Sequence, residues 1–303
     1  MTAPFVRDVQ RAVSAGVSRI LDLQDEDGFW REYNLEPGAS EAWSTAWVGW
    51  CLAGTEMNKV TRDACARAAM ALAGCRTEGG WGYNHKTGPD ADTTAWVLRF
   101  LACREFRQDP VRWLRAYVDP GGGVHTFCEP GLGSWTDPHD DVAANVGLAL
   151  LASQSSKPLA AQIRQRLIGR FPWQTFWWST PTYGIAWVLR FLTASGGLPR
   201  QVRENARAWL DSLPATTCCF ENAHRLTIWM QLENVERIEL ELVNEILDAQ
   251  AGHGGWPPST GLLVPAHEAG GRSSPNSEIR GALTTSICVR VLSEWLTGIE
   301  ERT

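Results

Sequence analysis

Two kinds of stretch alternate along the chain: some are apolar, small or β-branched on every side, and others carry charge on one face with apolar residues at three- and four-residue spacing. The first kind occupies residues 41–54, 90–103, 140–153, 181–194, 221–232 and 280–292, and the second 5–23, 58–74, 104–118, 157–170, 199–213 and 233–250. A helix with no polar face must be enclosed by neighbours, whereas a helix with one can line the outside. Six of each in alternation predict an all-α fold: an (α/α)6 barrel of six helical hairpins, with residues 1–303 as a single domain. The heptapeptide AWVLRFL, at 95–101 and again at 186–192, marks the internal repetition. No period-two pattern competes, so strands are not expected.

Composition narrows the function. A formal charge of -6, with 28 basic against 34 acidic residues and no basic cluster, excludes a nucleic-acid groove. The eight cysteines form no CxxC pair, and Cys218-Cys219 has no second pair to complete a zinc site, so a reduced, cytoplasmic protein without a protein-bound metal is expected. The N-terminal segment reads as an amphipathic helix and not a signal peptide, and no apolar run approaches the length of a transmembrane helix. Sixteen Trp stand against 4 Tyr and 9 Phe, which makes the placement of the indoles the main question, since indole fills space and stabilises cations.

Several connectors are rich in Gly and Trp, and two fit Q-x-x-x-G-x-W: Gln24, Gly28, Trp30 and Gln250, Gly254, Trp256, with Cys75, Gly79, Trp81 matching except for the Gln. This pattern resembles the QW motif of triterpene and other class II terpene cyclases, in which Gln caps a helix end and Trp stacks between hairpins. PDADTTAW at 89–96 is similar to the D-x-D-D-T-A motif of squalene-hopene cyclases, whose middle Asp protonates a terminal alkene; the resemblance gives Asp92 that role, with Asp90 beside it. Thr93 replaces the last Asp, and D-x-D-T-T looks like the variant of drimane-type sesquiterpene cyclases. DPHDDVAANV at 137–146 is similar to the D-P-P-x-E-D-V-T-A-H-V segment of the same enzymes. There Asp141 matches the motif Asp, while Asn145 stands where the hopene cyclases place a His that bonds the acid. TYG at 182–184 resembles the family's tyrosine-glycine and puts Tyr183 at the cavity. The resemblance covers nearly the whole chain.

Superposing the inner segments by repeat gives a rung of Trp43, Asp92, Asp141, Tyr183, Arg225 and Thr284, and one turn deeper a rung of Trp47, Trp96, Asn145, Trp187, Trp229 and Cys288. A carboxyl at the mouth of an indole-lined hole is poorly solvated, and Asp90 and Asp141 add like charge, so Asp92 is expected to hold its proton near neutrality. Protonating an alkene needs such a dry acid, and indole faces favour the cations that follow. His224, Arg225 and Arg280 begin inner helices on the side of Asp92 and could receive a diphosphate, with ion pairs to Glu221 or Glu278 as the structural alternative. The DLQDED run at 22–27 could hold Mg2+ with that diphosphate or be a solvated loop; no organic cofactor is expected. Asp92 also fits an N-cap, and the tryptophans also fit a packed interior.

The resemblance implies a class II cyclase that converts a prenyl diphosphate, farnesyl diphosphate first, to a bicyclic drimane-type diphosphate with the diphosphate retained. Geranylgeranyl and prenylated aromatic substrates would use the same acid. An (α/α)6 glycoside-active enzyme with Asp92 and Asp141 as its carboxylates, and a non-catalytic isoprenoid-binding or partner barrel, are the rival readings. A second domain like the one that closes the cavity in most class II cyclases is not expected in these residues, so a homodimer, another chain or the 257–278 loop is expected to close it.

Overall fold

The computed structural model describes residues 3–104, 106, 108–232, 238–266 and 272–300. Among them twelve α-helices follow one another: α1 (Ala3–Asp22), α2 (Ala42–Ala53), α3 (Lys59–Gly74), α4 (Ala91–Cys103), α5 (Pro110–Leu114), α6 (Asp140–Leu150), α7 (Lys157–Ile168), α8 (Pro181–Ala194), α9 (Arg200–Asp211), α10 (Cys219–Gln231), α11 (Ile238–Asp248) and α12 (Ala282–Glu300). The even-numbered helices coincide with the segments that lack a polar face. They pack in the cyclic order α2, α4, α6, α8, α10, α12 and back to α2, which closes an inner ring. Outer helices sit on the inner helix that precedes them: α3 on α2, α5 on α4, α7 on α6, α11 on α10. The first helix packs on the last, α1 on α12, so the two ends of the sequence complete the same circle.

The repeated heptapeptide has a packing reason. Phe100 of α4 lies over Gly49 of α2, and Phe191 of α8 lies over Gly147 of α6; a Cβ on either glycine would fall 2.6 Å from the ring. Large against small lets adjacent inner helices approach closely and fixes their register.

Three connectors share one set of bonds. Trp30 Nε1 donates to the Ile20 carbonyl at 2.8 Å, Trp81 Nε1 to Leu72 at 2.7 Å and Trp256 Nε1 to Ile246 at 2.6 Å. It is thus the Trp, and not the Gln as the resemblance implied, that caps the last turn of the outer helix before it. The Gln bridges outward: Gln24 Nε2 donates to Ala64 of α3 at 2.9 Å and Gln250 Nε2 to Ala12 of α1 at 2.8 Å. Gly28 and Gly254 take φ of +92° and +86° where a Cβ would strike the Arg67 and Ala15 carbonyls, so only glycine fits.

Two departures from the expected elements are small. Among the described residues of 104–118, α5 and a 3-10 turn at Arg115–Tyr117 form, because Pro110 fixes the start of the helix and Asp109 caps it through the Val111 amide. Two short hairpins also form, β1 (Glu32–Leu35) with β2 (Gly38–Ser40) and β3 (Leu262–Val264) with β4 (Ser274–Asn276), each too brief to show a period in sequence. The second belongs to the 257–278 loop, of which residues 267–271 lie outside the described residues. No helix among the described residues is long and apolar enough to cross a membrane.

Candidate active site

Asp90, and not Asp92, caps α4: its carboxylate accepts the Thr93 amide and the Thr93 hydroxyl, both at 2.7 Å. Thr93, the residue that departs from the D-x-D-D pattern, therefore completes the cap. Asp92, one residue further on, is left to reach its neighbours across the ring. Its Oδ2 accepts the Trp43 indole N–H of α2 at 2.7 Å, and its Oδ1 accepts the Asn145 amide of α6 at 2.7 Å. The Asn145 oxygen in turn accepts Arg99 Nη1 at 2.7 Å, which fixes the end of the amide that faces the acid. Arg99 is 8% exposed, has no carboxylate partner among the described residues, and lies over Trp96 at 4.1 Å and over Trp50 and Trp187 at 4.6 Å each.

Burial pushes Asp92 up to about 6, against Asn145, Trp43 and Arg99, which pull it down. The two effects serve different needs. Poor solvation keeps the proton on up to about pH 6, well above the ordinary carboxyl range, while the donors stabilise the carboxylate that proton transfer leaves behind. Asp92 is half-buried among Ala91, Thr93, Trp43 and Tyr183, all buried.

Asp141 is not bonded to the acid. Its Oδ2 accepts the Phe176 and Trp177 amides at 3.1 and 3.3 Å, which ties it to the 169–180 connector, and burial and the charge of Asp92 push it up to about 7. From that connector Trp178 turns into the barrel. It stacks on Tyr183 at 4.4 Å and on Phe220 at 4.8 Å, with planes 22° and 16° apart. Trp47 continues the sheaf at 5.8 Å from Tyr183 and 5.7 Å from Trp43. Trp96 and Trp187 stand edge-on to each other, 4.9 Å apart, and both lie against Trp47. The open indole-lined hole expected from the rungs is thus filled by rings in contact, Trp178 being the member supplied by a connector and not by an inner helix.

The α10 rung is displaced by one residue from the expected one: Phe220 and His224 face the centre. Trp229 is buried against Arg207 of α9, 4.6 Å from its guanidinium. Arg225 pairs with Glu221 at 2.7 Å and the Pro214 carbonyl at 2.7 Å, and Arg280 pairs with Asp25 at 2.9 Å and the Arg31 carbonyl at 2.9 Å. Both arginines have internal partners in this structure, Arg280 pairing with Asp25 and not with Glu278. Thr284 is buried on Glu278 and Cys288 against α10. Asp25 and Asp27 of the DLQDED run bond Arg31, and no group of three or more His, Cys, Asp or Glu among the described residues is arranged to hold a metal ion, so this run does not fit Mg2+. Arg99, Trp50, Trp178 and Phe220 were missed by the sequence reading; an arginine inside an otherwise apolar repeat was a signal for the first.

No protein-family model and no curated protein matches the chain. Solved structures do. The chain is similar to a type II terpene cyclase, MstE from Scytonema, in complex with geranylgeranyl dihydroxybenzoate as its substrate, with a TM-score of 0.85 and 23% identity over 98% of this chain and 99% of that one. The complex of MstE with merosterolic acid A as product matches at a TM-score of 0.83, again with 23% identity over 98% and 99% of the two chains. A GH76 α-mannanase from Bacteroides thetaiotaomicron matches at a TM-score of 0.63 and 10% identity over 96% and 97%. The all-α fold of this chain is therefore that of a type II terpene cyclase, a barrel that it also shares, more distantly, with a glycoside hydrolase.

Proposed function

We propose that this chain is a class II terpene cyclase in which Asp92 protonates the distal alkene of a linear polyprenyl substrate. The observation that carries the reading is the Asp92 carboxyl, held on both oxygens by Trp43 and Asn145 at the edge of an aromatic sheaf. Once the proton leaves, ring closures move the positive charge away from Asp92 past the faces of Trp47, Trp96, Tyr183 and Trp187, each able to stabilise a desolvated cation by about 0.5–2 kcal/mol. Trp178 must leave its seat to admit a chain, and the aromatic walls then exclude the water that would quench the cation. The glycoside reading is weaker, because both Asp141 oxygens are turned to backbone amides and so are not presented to a sugar.

Farnesyl diphosphate, cyclised to a drimane-type diphosphate with the diphosphate retained, is the first substrate on the strength of the D-x-D-T-T resemblance. A geranylgeranyl aromatic is the second reading, favoured by the structural likeness to a cyclase that binds one. The test is incubation of the purified chain with each substrate. The expected result is consumption without release of pyrophosphate from the diphosphate, and an Asp92→Asn rate at least ~10³-fold lower, because no other group supplies the acid. Turnover by Asp92→Asn at the wild-type rate overturns the assignment.

A further inference from the structure

His224 lies at the centre of the barrel, 1% exposed, with ring centroids 4.5 Å from Phe220, 5.4 Å from Tyr183, 6.1 Å from Trp47 and 6.4 Å from Trp187. Its Nδ1 is 2.7 Å from the Phe220 carbonyl oxygen, which can only accept, so Nδ1 carries the proton. Nε2 is then a bare lone pair. It has no hydrogen-bond partner among the described residues, although it is wholly enclosed. A buried acceptor left unpaired is costly, and such atoms persist where chemistry uses them. The place in the ring matters as much: α10 is three helices from α4 in either direction, so His224 faces Asp92 from the opposite wall. With neighbouring axes about 8–10 Å apart, opposite axes of a six-membered ring stand roughly 16–20 Å apart, and the aromatic sheaf spans the gap.

We propose that His224 is the base that ends the cyclisation, its Nε2 removing a proton from the carbon beside the last cationic centre. The inference rests on the cyclase reading and extends it to the step that fixes the product. The C–H bond breaks, its electron pair becomes the new C=C bond, and the proton stays on Nε2 as an imidazolium. Asp92 has by then given its own proton to the first alkene, so the enzyme carries a carboxylate and an imidazolium on facing walls. Transfer through water after product release restores both, and the reaction is an isomerisation with no oxidant or co-reactant. Burial and the charge of Arg190 hold the resting imidazole neutral, at about 4, so the lone pair is present when the cation arrives.

The experiment compares wild type with His224→Phe, which keeps a ring of similar shape, and His224→Gln. Farnesyl diphosphate, geranylgeranyl diphosphate and geranylgeranyl dihydroxybenzoate are supplied in H₂¹⁸O, and substrate loss and product structure are read by mass spectrometry and NMR. Protonation is untouched, so substrate loss is expected to stay within about five-fold of wild type, while the wild-type alkene falls by about a hundred-fold against ¹⁸O-bearing alcohols and other alkene isomers. Unchanged product from a folded variant, a wild-type product that itself carries ¹⁸O at the terminating carbon, or folded variants that no longer consume substrate each overturn the assignment to termination. A wild-type chain that consumes none of the three substrates refutes the cyclase reading and the base with it, whereas turnover with unaltered product refutes the base alone. Should neither variant fold, the ¹⁵N-histidine spectrum of the wild type decides: a neutral Nδ1–H tautomer at His224 is required, and an Nε2–H tautomer or an imidazolium overturns the proposal.

Discussion

Trp43→Phe separates the ring at this position from its N–H. The phenyl ring keeps most of the stacking against Trp47, but Asp92 Oδ2 loses a donor at 2.7 Å. A hydrogen bond to a charged group contributes about 1.5–3 kcal/mol, all of it to the carboxylate. The carboxyl should therefore rise from about 6 to roughly 7–8, at 1.36 kcal/mol per tenfold. With the proton about half transferred in the transition state, roughly 0.8–1.5 kcal/mol is lost from the rate, a fall of about four- to twelve-fold where the acid is fully protonated. At pH 8 the balance reverses: about 1% of the wild-type acid is protonated against roughly 10–50% of the variant, a gain that outweighs the weaker acid. The assay is kcat at saturating substrate from pH 5 to 9. The expected curves cross, with the variant slower below pH 6 and equal or faster at pH 8, and with KM little changed. An equal fractional loss at every pH, or an alkaline limb that moves down, refutes the idea that Trp43 acts through the carboxylate.

Arg99→Met removes the charge behind Asn145 and frees its amide to turn; kcat at low pH should fall about five- to fifty-fold, with the alkaline limb again moving up, and Asn145→Ala should make the second change nearly silent. Gly49→Ala places a methyl 2.6 Å from the Phe100 ring; overpacking of about 1–3 kcal/mol in a chain of this size should lower Tm by roughly 2–5 °C in a thermal melt, and an unchanged Tm would contradict the large-against-small account of the repeat. Stability should decline from about pH 5 to pH 7. Burial raises Asp90, Asp141 and Glu278 to about 7 and Asp92 to about 6, so between their ordinary values near 4 and these raised ones the folded chain binds more protons than the unfolded one and loses stability as pH rises. His139 and His224, held down to about 4, give the opposite slope up to their ordinary value, but two groups offset only part of the four. A Tm that climbs steadily from about pH 5 to pH 7 would contradict this, and Asp141→Asn should make the decline shallower.

The ring was legible because enclosure is a property of whole helices: a segment such as EAWSTAWVGWCLAG has no face that could meet water, and six such segments leave little choice but a closed inner layer. Asp92 and Asn145 were legible as a pair, since two separate segments resembled the same enzymes in the same order. What escaped was direction. Superposing repeats assigns equal rotation to every inner helix, and α10 is turned so that Phe220 and His224 replace Arg225 and Trp229 at the centre. Connectors escaped as well, because the place of Trp178 depends on pairing between Trp177–Ser179 and the 261–263 stretch far along the chain. Arg99 escaped because its partners lie on other elements: the indoles of Trp50 and Trp187 and the amide oxygen of Asn145 accept it together with Trp96.

The acid meets two demands that oppose each other. Burial alone would keep Asp92 protonated but leave it weak, because the carboxylate formed on proton transfer would be as poorly solvated as the resting one. Donors alone would make it strong but empty at neutral pH. The barrel supplies both because the helix that carries the acid, α4, touches α2 on one side and α6 on the other, and each neighbour sends one N–H to one carboxyl oxygen. Donor placement is thereby a consequence of the spacing between inner helices, which the contact of Gly49 with Phe100 sets between α2 and α4. A change at that seam, on the turn after Trp47 and away from the carboxyl, alters how far Trp43 stands from Asp92. The packing of the repeat and the strength of the acid are therefore one structural variable.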